Sequence, residues 1–325
     1  MNDKQLRIFT TVPVTGRLDV TYLHEVILNH TDCWNWINNY YIQLKAKKDI
    51  SPESYFDVDF NFAHRWDVPI IEQVYFEPEK NQNIPNLIIR YLDNGFYVMP
   101  HLDDYYIPCK SVYNNEHFVH VNFIYGYNLI TNQFYSLGFD DKQTFRTINI
   151  DFVSINNGFI NSDHKCMHFF RPNNEVRYFF NIEDFENQII DFVNSEITIE
   201  PERTLFTNSN YLYGFNAQNQ LIEYIRTIPN RKIHVVGMGK HLHLLWEHKK
   251  LMGIKMQYLF DNNYLHTSKF VEEYGELERI TYKLRNALYK ILIKQDFSRL
   301  DYIISSLHEV FNKEHTLLCS LINEL

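Results

Sequence analysis

Two apolar segments joined by a short polar turn, EHFVHVNFIYGYN and NQFYSLGF, constrain this chain more than any other feature. Seven of the thirteen residues in 116–128 are aliphatic or aromatic, which fits a buried strand. A turn spanning only Asn128–Asn132 leaves no room for a crossover, so the two strands must form an antiparallel hairpin. FYVMPHL, after the turn at Asp93-Asn94-Gly95, and FRTINIDF read as further strands. Residues from about 68 to 165 therefore predict a mainly antiparallel sheet. His117 and His120 stand at the mouth of the central strand, where an apolar body would anchor a polar group.

The pattern changes beyond about residue 180. NIEDFENQIIDFVNS places Phe185, Ile189 and Phe192 on one helical stripe. ELERITYKLRNALYKILIK and DFSRLDYIISSLHEVFNKEHTLLCSLINEL lack glycine and are amphipathic, which predicts an antiparallel helical pair. Ahead of that pair, RKIHVVGMGK, HLHLLWEHKKLM and IKMQYLFDNN read as one strand–helix–strand unit. Near the start, Trp34, Ile37, Tyr41 and Leu44 fall on one face of a helix over 31–45, with Thr31 or Asp32 as its cap. The fold class is α+β, with a domain over 1–165 and a mainly helical accessory domain over 166–325.

Composition removes several function classes. A net charge of -9 argues against a nucleic-acid groove. Cys33, Cys109, Cys166 and Cys319 are far apart and form no CxxC pair, so neither a zinc motif nor a disulfide framework is expected. Reduced thiols fit a cytoplasmic protein. No apolar stretch is long enough to span a membrane, and the first twenty residues carry no signal-peptide core.

Thiol chemistry needs an acidified cysteine, a histidine base and a group that orients the histidine. Cys33 lies in the first turn of the expected helix at 31–45, where unpaired N–H groups and the helix dipole favour a thiolate. His120 starts a strand, so a helix N-terminus facing a strand-borne histidine becomes the expected arrangement.

The stretch LDNGFYVMPHLDDYYIPCKSVYNNEHFVHVNFIYGYNLITNQFYSLGFDD resembles the core of the butirosin-biosynthesis protein H family and, more distantly, the bacteriocin-processing peptidases. The shared order is Gly95, Val98, Asp103 or Asp104, Tyr105, Tyr106, His120, Gly126 and Tyr127. The resemblance covers roughly residues 20–165, and the second half is more weakly similar to proteins found beside nonribosomal peptide synthetases.

The resemblance implies a papain-like core and a cysteine acyltransferase or cyclase. Such an enzyme moves an acyl or peptidyl group from a carrier protein's phosphopantetheine arm to a small amine, with no cofactor of its own. Cys33 would be the nucleophile and His120 the base. The family's acid is expected near Leu137–Gly138; Asp140 is the first substitute here, with Asn122 or Asp103 behind it. Papain-type enzymes also place a glutamine six residues before the cysteine, where this chain has Ile27, with Asn29 and His30 nearby. A cysteine hydrolase, or a non-catalytic binding protein on the same scaffold, is the alternative.

Other groups invite simpler readings. His101 with Asp103 and Asp104 is a poor metal set, because adjacent strand residues face opposite ways, and no metal is expected. Tyr105 and Tyr106 suit a pocket wall, and His117 a solvent-facing loop. His241 and His243 lack the HExxH spacing, and Cys109, Cys166 and Cys319 read as structural. Gly237-x-Gly239 and Asp261 form part of a dinucleotide fingerprint, but Leu242 stands at the third glycine position. Arg279, Lys283, Arg285, Lys290 and Lys294 make a basic set on the first long helix, which suits an acidic carrier protein.

Overall fold

The structure, a computed structural model, describes residues 2–9, 11–61, 68–77, 82–199, 204–205 and 210–325. In chain order it begins with β1 (Asp3–Gln5), α1 (Leu18–Ile27), α2 (Cys33–Asn39), β2 (Leu44–Lys47), β3 (Val58–Phe60) and β4 (Ile71–Phe76). Next come α3 (Ile84–Asp93), β5 (Tyr97–Asp103), β6 (Val119–Val121), β7 (Phe123–Asn128), β8 (Gln133–Phe139), β9 (Phe145–Asp151), α4 (Phe152–Ile160) and β10 (Met167–Pro172). The chain continues with α5 (Ile182–Asn194), β11 (Thr198–Ile199), β12 (Thr204–Leu205), β13 (Tyr211–Tyr213) and α6 (Gly214–Thr227). It ends with α7 (Val235–Asp261), α8 (Lys269–Lys294) and α9 (Leu300–Ile322).

A mixed α+β region with a packed sheet precedes a mostly helical region. The two compact units interleave in sequence: Met1–Cys33 with Val68–Tyr178, and Trp34–Asp67 with Phe179–Leu325. One boundary at 165 does not describe them. β10 lies between β4 and β5 in the sheet, and residues 34–67 group with the helices.

In the first unit the antiparallel sheet runs β4-β10-β5-β7-β8-β9, with β1 on β7 and β6 on β5. The β7–β8 hairpin is closed by Asn128, whose Oδ1 accepts the N–H groups of Ile130 and Thr131. Asn132 completes that turn with φ at 53°. Gly126 sits beside a register shift, and a Cβ there would stand 2.3 Å from the Lys4 carbonyl oxygen. Only glycine lets β1 approach β7 this closely.

α3 and α4 cover one face of the sheet. Leu87, Ile88, Leu92, Ile155 and Phe159 pack there with Val98, Leu102, Ile124, Phe134, Ile150 and Phe169. Asn83 caps α3 by accepting from Asn86 N–H, and Asp151 caps α4 by accepting from Ser154 N–H. Side chains alternate along β5, so Tyr97, Met99 and His101 point to the opposite face from Val98 and Leu102. α1 packs on that opposite face: Tyr22 stacks on Phe123 with ring centres 5.1 Å apart, and Phe123 stacks on Tyr97 at 5.4 Å.

The second unit has a small sheet, β13-β2-β3, and the long helices. Two expectations fail here. The helix over 31–45 stops at Asn39, because the Asn39 side chain pairs with the backbone of Asn181: its Nδ2 donates to the carbonyl and its Oδ1 accepts from the N–H. Tyr41 then takes φ at 61° and Leu44 enters β2, so a stripe of helical spacing is buried by tertiary pairing instead. Trp34, its first member, is exposed.

The strand–helix–strand unit is also absent: residues 235–261 form one 27-residue helix, α7. His234 caps it by accepting from Gly237 N–H, which puts the first glycine inside the opening turn. Gly239 is small for packing reasons, since a Cβ there would lie 2.2 Å from the Tyr289 ring of α8. Leu251, Met252, Met256 and Leu259 continue at helical spacing, so the expected second strand is a buried helical stripe. No phosphate-binding turn remains. α8 packs more extensively on α7 than on α9, so the expected helical pair is part of a three-helix packing.

α7 also buries a lysine with one acceptor among the described residues. Lys255 Nζ donates to the Ile37 carbonyl at 2.6 Å. Burial holds its pKa well below the ordinary lysine value. The unfolded chain therefore binds that proton more readily, and stability falls as pH drops below about 10.4. Lys255→Met removes the penalty. The variant is expected to be more stable at pH 7 by about 1–4 kcal/mol, the scale seen when buried ionic groups become apolar. The gap should close as pH approaches about 10, where the unfolded chain no longer gains by protonating Lys255. Urea unfolding at several pH values measures both.

Candidate functional site

β5, β6 and β8 of the first unit bring a set of polar side chains toward α1. β6 pairs antiparallel with β5, placing His120 opposite Leu102. Its ring stacks on Phe118, centres 5.4 Å apart. Burial lowers the His120 pKa most, and Lys110 and His101 lower it further, to about 4, against a smaller upward pull from Asp19.

The lysine belongs to a buried cluster. Asn122 Nδ2 donates to Asp104 Oδ1 at 3.0 Å and to the His120 carbonyl at 3.3 Å. Burial pushes the Asp104 carboxyl up, while Lys110 and the Asn122 hydrogen bond pull it down. Burial and the nearby Asp104 and Asp19 raise the Tyr22 phenol well above its usual value. The Tyr22 hydroxyl and Asn122 Oδ1 are buried and make no hydrogen bond among the described residues. Lys110 and Tyr22 meet at β8: a Cβ on Gly138 would stand 3.1 Å from the Tyr22 hydroxyl and 3.3 Å from Lys110 Nζ. Where an acid was expected, the chain presents an ammonium and a phenol over a glycine.

Asp140 is occupied elsewhere. Its Oδ1 accepts from the N–H groups of Lys142 and Thr144, and its Oδ2 accepts from Arg146 Nε at 2.5 Å. These bonds shape the β8–β9 turn and hold the carboxyl below its usual range. Asp103 does orient a histidine, but it is His117: Nδ1 lies 2.6 Å from Asp103 Oδ2, and the ring stacks on Tyr105 at 4.2 Å. Asp103 Oδ1 also accepts from Tyr105 and Phe118 N–H.

Cys33 opens α2, a helix of 7 residues, and is buried. The turn before it is tied down. His30 Nδ1 accepts from Asp32 N–H, and His30 Nε2 lies 2.9 Å from the Asn173 carbonyl. Asp32 takes two hydrogen bonds from Arg177 and one from Tyr178 N–H. α1 packs on the sheet face away from α3 and α4, and its first turn carries Asp19, which Arg17 approaches to 3.5 Å.

One further cluster could hold a metal. His101, Cys166 and His168 each offer a ligand atom, all within 4.8 Å of one another. His101 therefore joins a cysteine and a second histidine instead of the Asp103-Asp104 pair. Part of the signal was in the sequence: Cys166 and His168 are two residues apart, a spacing that puts both on one face as the chain enters β10.

No family model matches the chain, and no curated protein matches it at a significant level.

Proposed function

We propose that this chain is a binding protein with a papain-like layout, holding an acyl or peptidyl group on a partner's pantetheine arm without transferring it by cysteine chemistry. The carrying observation is the surroundings of His120. A thiolate–imidazolium pair needs an anion to support the charged ring. Here burial and the Lys110 ammonium disfavour that charge, and the imidazole is neutral near pH 7. A base with a pKa of about 4 is mismatched to a thiol. Asp19 in the first turn of α1 adds a carboxylate, not a sulfur, to the face where the resemblance expects a nucleophile.

The papain-like reading itself is supported by a helix packed on an antiparallel sheet with His120 on a strand of that sheet. The Tyr22 hydroxyl and Asn122 Oδ1 supply unused hydrogen-bonding capacity suited to a carbonyl or amide group. Four free cysteines support a reducing, cytoplasmic setting. Titration with an acyl-pantetheine tests the reading. Saturable binding with the thioester intact, unchanged in Cys33→Ala, is expected. Acyl transfer to an amine or to water that Cys33→Ala abolishes would make the chain the cysteine enzyme instead.

The basic set on α8 supports an acidic carrier as partner, in reduced form. Arg285 is stacked over Trp246, Tyr282 and Tyr289, so its charge is committed to packing. Arg279 and Lys283 line a groove of about 320 Å³ with Trp246, Glu278 and Tyr282. Reversing Lys283 and Lys290 to Glu tests docking without touching Arg285. Carrier binding is expected to weaken about tenfold at low salt and less at about 0.15 M. Equal affinity at both salt levels would remove α8 as the docking face.

A further inference from the structure

β5 and β10 are antiparallel neighbours, with His168 opposite Met99. His101 lies two residues beyond Met99, and its N–H donates to the Cys166 carbonyl at 3.2 Å. Period-two alternation then puts His101, Cys166 and His168 on one face of the strand pair. Their ligand atoms lie within 4.8 Å of one another, and all three residues are half-buried, so an ion could enter. Zinc bonds of about 2.0–2.3 Å place tetrahedral ligands about 3.3–3.8 Å apart. Closing the set therefore takes side-chain rotations on the order of 1 Å.

Outer contacts are already in place. The Gln73 amide lies 3.3 Å from His168 Nδ1, and a flip of that amide would present its oxygen as the acceptor that a metal-bound imidazole needs. Tyr75, whose hydroxyl donates to Glu77 Oε1 at 2.6 Å, lies beside Cys166. A fourth position is open to water or to His164, whose ring centre lies 6.1 Å from that of His101.

We propose that His101, Cys166 and His168 form a zinc site. Two imidazoles and one thiolate are the ligand types that zinc prefers over magnesium or calcium. On binding, the Cys166 thiol gives its proton to solvent and the sulfur bonds the metal; both imidazoles ligate through an unprotonated nitrogen, and nothing is oxidised or reduced. The zinc proposal does not require the thioester reading, although His101 also acts on His120.

The test uses metal-free full-length protein titrated with cobalt(II), then displaced by zinc. One ion per chain and a thiolate-to-cobalt charge-transfer band in the near ultraviolet are expected. Cys166→Ser should abolish that band, and His101→Gln or His168→Gln should weaken zinc binding more than tenfold. Circular dichroism of the metal-free variants checks that each folds. A measurement on the wild type needs no variant: zinc should shield Cys166 from N-ethylmaleimide while Cys319 still reacts. Cobalt bound without the thiolate band, zinc binding unchanged in the Cys166→Ser/His168→Gln double variant, or Cys166 labelled at the same rate with zinc present, would each overturn the site.

Discussion

Glu314→Ala is expected to cost about 3–5 kcal/mol of stability, the scale for removing one partner of a buried ion pair. Glu314 and Lys249 meet at 2.6 Å in the helical unit, both side chains fully buried. Glu314 also accepts from Gln218 Nε2 at 2.9 Å and from the Tyr274 hydroxyl at 3.3 Å. Burial lowers the Lys249 pKa, and the nearby Glu314 carboxylate opposes that shift. Truncating Glu314 leaves an ammonium, an amide and a phenol without their shared acceptor, and none can reach water. Against a total stability of about 5–15 kcal/mol, this is enough to unfold a marginal domain. Lys249→Met with Glu314→Leu should recover most of the loss, because the desolvation cost leaves with the charges. Urea midpoints for the two single variants and the double variant check it. Equal midpoints for Glu314→Ala and wild type would show that the network contributes little.

Lys110→Met should have the next largest effect, and it reports on the candidate site. Lys110 is the charge that offsets Asp104, whose carboxyl is already pushed up by burial. A raised folded pKa means the folded state holds the proton more tightly, so stability is lost as pH rises from about 3.9 through the folded value. Removing Lys110 raises that folded value further. The variant should match wild type near pH 4 and lose up to about 3–5 kcal/mol once Asp104 must ionise. The same substitution removes the second-largest cause of the low His120 pKa, which should rise from about 4. Histidine proton resonances followed across pH 3–8, roughly the range over which carboxylates and histidines titrate, read that shift directly. An unmoved His120 would show that Lys110 does not govern the site.

The sheet was legible because its signals are local. The Asn128–Asn132 turn and the apolar runs on either side fix the β7–β8 hairpin within about twenty residues. The turn at Asp93-Asn94-Gly95 was legible too, and Gly95 there takes φ at 82°. What was not legible depends on distant partners. Asn39 ends α2 by bonding Asn181, more than 140 residues away, and nothing in the local spacing says so. Gly237 and Gly239 imitate a phosphate turn, but Gly239 answers to Tyr289 of another helix.

The candidate site was legible in its histidine and not in its company. His120 was placed on a strand mouth by pattern, and it lies on β6. Lys110 was missed because it sits in a loop whose fold comes from Asp103, Asp104 and their bonds to residues near 118–122. Asp19 was missed because α1 shows a weak amphipathic pattern, buried on most sides from Val20 to Ile27. The His-x-Cys-x-His alternation needs His101 from a neighbouring strand before it means anything.

The central claim is that Cys33 is not a nucleophile activated by His120, and the rate of Cys33 alkylation by iodoacetamide against pH tests it most directly. Cys33 is expected to react slowly, to speed up only as pH rises toward the ordinary thiol range of about 8.5, and to be unaffected by His120→Ala. A fast reaction that persists below pH about 6 and is lost in His120→Ala would contradict the account and establish a thiolate–imidazolium pair.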